Sequence, residues 1–333
     1  MNRYDIKVYS KSWVYQTTIN PNVVMNDISF TSNVNWWLWE LDLQLALPFS
    51  DNTFHWWEII KVDLFNERYK QWKQIYYWYV SQVSRIFDIN KWYIQLSILW
   101  IASLLNSILY SWTKTWSVSS ILTDIINSFN WKYSWNLITI WWIDTYSEDI
   151  EIELNDWTTC KSAIDKINDI CNYYWFIDSE WKFWFKSKWN QKRHILANEQ
   201  NIESMNITSS IEKVYNRVYV SRKDWEIKQY QNTTSQWLYW IKEKYENEPS
   251  IANESTQDEY GNNYILENSN PKNASSIVVN SSYDIESIVP WDIISVVNID
   301  FDITDLLIEK IKYGYDKVVL TLDENESLWG VIK

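Results

Sequence analysis

Glu148, Asp149, Glu151 and Glu153 put four carboxylates into one short stretch, and paired carboxylates are material for general acid–base chemistry. The same stretch alternates acidic with apolar residues, Ile150, Ile152 and Leu154, so the other reading is a strand with one solvated acidic face, which the alternation favours. Asp300, Asp302 and Asp305 could suggest calcium, but the spacing lacks the glycine and the closing glutamate of an EF-hand loop, and a strand with an acidic face again fits better. Tyr76, Tyr77, Trp78 and Tyr79 could stack on sugars or bases. In a strand they alternate faces, which points to packing. Two histidines, His55 and His194, lie far apart and give little from which to build a zinc site or a histidine dyad. Cys160 and Cys171 fall in one expected helix, roughly 16 Å apart along its axis, beyond disulfide reach. No catalytic, cofactor or metal constellation emerges, and the chain reads as a non-enzyme.

The elements that would carry these residues are short. Seven strands are expected before Trp100: Tyr4–Tyr9, Val14–Ile19, Met25–Phe30, Glu40–Leu45, Ile59–Phe65, Gln74–Val83 and Lys91–Leu99. Helical spacing follows at 101–110 and at 117–129, where Ser117 or Ser119 would cap the second helix. Strands 137–140 and 150–154 come next, then a helix over 158–174 and a hairpin around Ser179-Glu180-Trp181. Further strands are expected at 214–220, 226–231, 276–279, 293–297, 306–313 and 317–322. The fold class is α+β, mainly β: an N-terminal β-barrel over 1–100, a small mixed α+β domain over 101–200, and a second β-barrel over 201–333. The last includes a polar, partly mobile excursion at about 235–270.

Charge narrows the partners. A formal net charge of −13 and a pI near 4.7 argue against gripping nucleic acid through its phosphates. The N-terminus carries no apolar signal segment, and the most apolar run, 93–110, is interrupted by polar residues, so no membrane insertion is expected.

The composition holds one anomaly. The chain has 26 Trp and 3 Gly in 333 residues, whereas ordinary usage of about 7% would give roughly 23 glycines. Many Trp sites stand where glycine belongs: Asn33-Val34-Asn35-Trp36-Trp37-Leu38-Trp39 before an alternating strand, and Asp156-Trp157, Glu180-Trp181, Asp224-Trp225 and Pro290-Trp291 as turn dipeptides. Trp175 falls where a helix C-cap glycine is expected. Most Trp letters therefore read as UGA codons of a genome in which UGA specifies glycine. The structural turn positions are Trp36, Trp37, Trp39, Trp57, Trp78, Trp100, Trp157, Trp175, Trp181, Trp225 and Trp291. The alternative is a truly Trp-rich carbohydrate-binding or adhesion protein.

With glycine at those sites the chain resembles the tail hub, or baseplate hub-like, proteins of tailed bacteriophages and related injection machines. Three places carry the likeness: Asn35–Phe49 with His55-Trp56-Trp57-Glu58-Ile59-Ile60-Lys61-Val62; Ile75–Ser81 leading to Leu99–Leu105; and Val214-Tyr215-Asn216-Arg217-Val218-Tyr219-Val220 with Pro290-Trp291-Asp292-Ile293-Ile294. The resemblance implies a homotrimer whose two similar barrels per chain form a pseudo-sixfold ring between the sixfold tail tube and the threefold tip. The implied partners are the tail tube or distal tail protein and the tail-tip or fibre proteins. DNA would slide through an acidic lumen without specific binding. The implied location is the virion tail, assembled in the host cytoplasm. The chain stops at Lys333 just after its last expected barrel strand, which argues against a lytic activity.

Overall fold

The computed structural model describes residues 4–24, 30–33, 40–46, 54–55, 57–66, 70–88, 91–133, 137–155, 157–178, 180–187, 192–197, 200–280, 283–284, 287–290, 292–297, 303–313 and 317–324. Among them the chain is mainly β, with four α-helices, and folds as two compact units. The first unit takes residues 1–103, 192–206 and 275–333; the second takes 104–191 and 207–274.

Strands from both ends of the chain form a single thirteen-stranded sheet. The N-terminal strands are β1 (Tyr4–Tyr9), β2 (Tyr15–Ile19), β3 (Phe30–Asn33), β4 (Glu40–Leu45), β5 (Ile59–Asn66), β6 (Gln71–Asp88) and β7 (Lys91–Trp100). They run in the order β3-β4-β7-β6-β5-β1-β2. Alternation sets their register: Leu41, Leu43 and Leu45 point inward from β4, as do Ile94, Leu96 and Ile98 from β7, and all six are buried. The sheet contains strands from both expected barrels, because β3 pairs with β20 (Ile303–Tyr313), which in turn pairs with β19 (Ile293–Val297) and β21 (Lys317–Glu324).

The second unit begins with β8 (Trp112–Ser117), α1 (Val118–Lys132), β9 (Thr139–Ile143), β10 (Asp149–Leu154), α2 (Cys160–Cys171), β11 (Tyr173–Ile177) and β12 (Lys182–Ser187). Helix α1 buries Ile121, Leu122, Ile125, Ile126 and Phe129, the expected stripe. Ser117 occupies its N-cap position, but its hydroxyl faces Ser120 Oγ at 2.9 Å and makes no capping bond to the backbone. The expected helix over 101–110 is instead a 3-10 turn over Ile101–Asn106. Helix α2 is capped by Thr159, whose Oγ1 accepts from the Ser162 N–H at 3.1 Å, and it ends at Asn172 in the left-handed conformation. Asn tolerates that backbone shape, so the helix stops three residues earlier than expected, and Trp175 lies inside β11 rather than at a cap.

Two strands intervene, β13 (Arg193–Ala197) and β14 (Ile202–Ser210), both part of the large sheet. The chain then forms a separate three-stranded sheet from β15 (Arg217–Ser221), β16 (Ile227–Gln231) and β17 (Glu243–Asn247). Helices α3 (Thr233–Tyr239) and α4 (Glu254–Asn268) follow β16 and β17, and β18 (Lys272–Asn280) returns to the large sheet. The polar stretch 235–270 thus carries regular elements, most of α3 with β17 and α4. It lacks an apolar stripe, yet α4 starts at Asn253, whose Oδ1 accepts from the Thr256 N–H at 2.8 Å, and settles across β15 and β16. Tyr230, Val218, Val220, Ile251 and Ile265 make the small core beneath it.

Gly261 is what lets α4 lie so close. A Cβ there would come within 2.2 Å of the Tyr230 ring. Gly261→Ala is expected to destabilise the protein by about 1–3 kcal/mol, the usual effect of overpacking, despite the better helix propensity of alanine. Urea unfolding of the two proteins measures it.

Candidate functional site

Three tight hairpins share one geometry. In the loop Ser10–Val14 between β1 and β2, the Ser10 N–H donates to Val14 O at 2.8 Å and the Trp13 N–H donates to Ser10 O at 2.9 Å. In Asp178–Lys182 between β11 and β12, Asp178 N–H donates to Lys182 O at 3.0 Å and Trp181 N–H to Asp178 O at 3.0 Å. In Arg222–Glu226 between β15 and β16 the same two bonds measure 3.2 and 3.0 Å. This is the three-residue hairpin in which a turn is followed by one left-handed residue, a place made for glycine. In all three loops that residue is tryptophan: Trp13 at φ 66°, Trp181 at 65° and Trp225 at 65°.

Two more tryptophans have positive φ, Trp57 at 70° and Trp240 at 60°. Trp240 ends α3 with ψ 172°, a combination that is essentially restricted to glycine. Its carbonyl accepts from Asn216 Nδ2 at 2.7 Å. Asn216 is fully buried and works in both directions: its Nδ2 also donates to Ser235 Oγ, and its Oδ1 accepts from the Lys242 N–H at 2.8 Å. The Asn-Arg-Val stretch thus supplies the fastening for the exit of α3. Lys70 and Asn172 complete the described non-glycine residues with positive φ.

The expected turn positions divide into groups. Trp57, Trp181 and Trp225 are left-handed. Trp157 lies in a turn closed by Asn155, whose Oδ1 accepts from the Trp157 N–H at 3.1 Å, and it is not among the residues with positive φ. Trp78 and Trp175 lie in strand interiors and Trp100 is the last residue of β7; all three are buried, with the Trp78 and Trp100 rings edge to face at 6.1 Å. Trp36, Trp37, Trp39 and Trp291 lie outside the described residues. Trp13 and Trp240 were not singled out from the sequence; Ser-Trp-Val between two strand patterns was the available signal for the first. Several of the turn indoles reach into solvent, with Trp157 82% exposed, Trp225 75% and Trp240 83%, whereas Trp13 and Trp181 are half-buried.

The ionisable groups form structural contacts. Strand β10 buries Ile150, Ile152 and Leu154, and among its acids Glu151 accepts from Asn253 Nδ2 at 2.8 Å while Glu153 pairs with Lys223. Glu148 is different, because it meets Glu259 of α4. Burial and the hydrogen bond to Glu148 push the Glu259 carboxyl up to about 7, against a 2.7 Å hydrogen bond from Tyr146 Oη that lowers it. His194, 2% exposed, contacts Asp292 Oδ2 through Nε2 at 2.8 Å and Tyr283 Oη through Nδ1 at 3.0 Å. That buried chain fastens β13 to the segment before β19, a pairing that chain separation concealed. Burial pushes the Cys160 thiol up to about 12, so it is an unreactive packing group. Among the described residues, no group of His, Cys, Asp and Glu could hold a metal ion, and no helix is long and apolar enough to cross a membrane.

No protein-family model matches the chain, and no curated protein is similar to it in sequence. Solved structures are similar in fold. The prophage tail protein gp18 from Listeria monocytogenes EGD-e superposes with a TM-score of 0.66 at 13% identity, over 97% of this chain and 95% of that one. The 43 kDa tail protein of prophage MuSo2 from Shewanella oneidensis gives 0.70 at 10% identity, over 96% and 98%. A tail protein from Neisseria meningitidis MC58 gives 0.69 at 11% identity, over 97% of each chain. The chain has the fold of these tail proteins, along nearly its whole length and theirs.

Two outcomes follow from the geometry. In protein carrying literal tryptophan, Trp225→Gly is expected to raise stability by about 1–2 kcal/mol, the penalty of a left-handed residue with a side chain, as read by urea unfolding. The Glu259 carboxyl holds its proton more tightly when folded, so its stabilisation is complete below about pH 4.5 and is lost as the pH rises through about 7. The melting temperature is expected to fall across that window, and Glu259→Gln to flatten the fall.

Proposed function

We propose that this chain is a structural hub protein of a phage-type tail, built into the baseplate or tail tip. The observation that carries the reading is the end-to-end fold likeness to three tail proteins, which leaves no large segment of either partner unmatched. In this reading the strands before Trp100 and those of the last third of the chain serve as two barrel-like halves. A homotrimer then presents six such halves to a sixfold tail tube and three copies to the tip, and meets the tube or distal tail protein on one side and tip or fibre proteins on the other. The net charge of −13 suits a channel wall that repels DNA and lets it pass without sticking. The particle resides in the virion tail after assembly in the host cytoplasm, and the role needs no enzymatic chemistry.

The reading includes the codons. Of the seven described non-glycine residues with positive φ, five are tryptophan, among the residue types least suited to it. Glycine at Trp13, Trp57, Trp181, Trp225 and Trp240 would remove the strain at all five and the exposed indoles at Trp57, Trp225 and Trp240.

A second reading draws on one surface. Trp141 and Trp142 on β9 are half exposed, Trp141 lies 6.2 Å from Trp184, and Lys182 and Lys186 sit over the Trp141 and Trp184 rings. Genuine indoles there would form a platform suited to sugars.

One preparation decides between them. Protein isolated from its natural particles is expected to yield glycine-containing peptides across positions 13, 181 and 225 by mass spectrometry, and a threefold ring with an acidic lumen by electron microscopy. Tryptophan in those peptides would sink the recoding; a monomer would sink the hub.

A further inference from the structure

Strand β17 is a terminal strand of the three-stranded sheet, in a part of the chain whose backbone is described without a break from 200 to 280. Among the described residues it pairs with β15 alone. The Arg217 N–H donates to Lys242 O at 3.1 Å at one end of that ladder, and the Glu248 N–H donates to Ser221 O at 2.9 Å at the other. A parallel ladder alternates, so Lys242, Lys244, Glu246 and Glu248 bond toward β15, while Glu243, Tyr245 and Asn247 turn their N–H and C=O groups away from it. Those three residues are exposed, and so are Ile241 and Pro249 on either side of them.

A free strand edge is a template for another strand, and the charges decide which one. In Ile241-Lys242-Glu243-Lys244-Tyr245-Glu246-Asn247-Glu248-Pro249, the face that carries Lys242 and Lys244 before Tyr245 carries Glu246 and Glu248 after it. When a second copy is laid antiparallel about Tyr245, Lys244 stands opposite Glu246 and Lys242 lies level with Glu248, once in each direction. The in-chain ion pair of Lys244 with Glu246, at 2.6 Å, then lies beside its twin with the signs reversed. On the other face Tyr245 meets Tyr245, Ile241 meets Pro249, and Glu243 meets Asn247. Glu243 is already held on the sheet by Arg217 Nη1 at 2.9 Å and Tyr219 Oη at 3.1 Å. This register also makes every outward-turned residue a member of a hydrogen-bonded pair. Sliding one strand by two residues sets Lys244 against Lys244 or Glu246 against Glu246, which is unfavourable. Charges that only guard an edge would repel a second copy in every register; these admit one.

We infer that β17 is a self-pairing edge, through which two copies of the chain join antiparallel over Glu243–Asn247 and merge their three-stranded sheets into one. The contact is isologous and closes at two copies. It goes beyond the hub reading, because three copies of one ring cannot all be matched two by two, so it joins copies from different rings or copies outside a ring. No tryptophan lies between Ile241 and Pro249, and glycine at the turn positions leaves the contact unchanged.

The test uses the full chain carrying Tyr245→Cys; Cys160 and Cys171 are buried and stay out of the reaction. At the twofold centre the two new thiols belong to Cα atoms about 5.5 Å apart, inside disulfide reach, so mild oxidation is expected to give a covalent dimer. Asn247→Cys, with its counterpart roughly 13 Å away along the strand, is expected to cross-link only when mixed with Glu243→Cys. In sedimentation equilibrium, Lys244→Glu and Glu246→Lys are each expected to raise the dimer dissociation constant roughly tenfold, as two opposite-charge pairs become like-charge ones. The double variant is expected to restore it, with circular dichroism spectra unchanged throughout. Efficient cross-linking of Asn247→Cys to itself, or a double variant as weak as the singles, overturns this contact. If Tyr245→Cys stays uncross-linked the contact is likewise overturned, and a threefold ring in the same preparation leaves the hub reading standing. A covalent Tyr245→Cys dimer from a chain that forms no ring supports the contact and overturns the hub.

Discussion

The hairpin closed by two backbone hydrogen bonds over five residues leaves its fourth residue no choice of backbone. Once Ser10 and Val14, Asp178 and Lys182, or Arg222 and Glu226 are bonded across the loop, the residue before the last must swing to positive φ. The rest of each sheet depends on that swing, because the loop sets which residues of the two strands face each other. A shift of one residue would turn Ile6 and Val8 of β1, or Phe183 and Phe185 of β12, out of the core that they now fill. Side chains in the loops assist without relieving the constraint: Ser10 Oγ accepts from Val14 N–H at 3.1 Å, and Asp178 Oδ1 accepts from Glu180 and Lys182 N–H at 2.9 and 3.0 Å.

The sheets so fixed hold polar fastenings where strand pairing alone would leave loose ends. Asn216 gathers the exit of α3 and the entry to β17. His194 and Asp292 do the same for β13 and β19, which already pair in parallel through Arg193–Ala197 and Ile293–Val297. Each of these groups is buried and satisfied, so removing one partner would strand the other away from water. Such residues resemble catalytic ones in type and differ in setting. The place beside His194 Nδ1 that a nucleophile would need is taken by the phenol of Tyr283.

Local pattern was legible in the chain where one face of an element is buried. The alternation in β4 and β10 and the stripe of α1 read directly, because burial on one side imposes a period. Helix α4 did not read, since its contact with β16 depends on the absence of a side chain at Gly261 and on caps and hydrogen bonds, not on an apolar stripe. The end of α2 misread for a related reason: Asn172 takes the left-handed cap, three residues before the glycine-like context of Trp175. The joining of β3 to β20 joins residues nearly three hundred positions apart, and no local pattern encodes it. His194, Asp292 and Glu259 were invisible as partners for the same reason.

The turn tryptophans then raise a question of scale. A left-handed residue with a side chain is disfavoured by about 1–2 kcal/mol relative to glycine, and whole domains are stable by only about 5–15 kcal/mol. Five such residues, Trp13, Trp57, Trp181, Trp225 and Trp240, would draw on a large part of that margin. The remedy usual for strain, a function that needs it, is missing at these places: Trp225 and Trp240 project into solvent, and three of the five occupy the same position in the same kind of loop. Strain repeated at equivalent turns points to a residue type, not a site. Glycine satisfies all five positions with one substitution of meaning, and it leaves the hydrogen bonds that define the loops untouched.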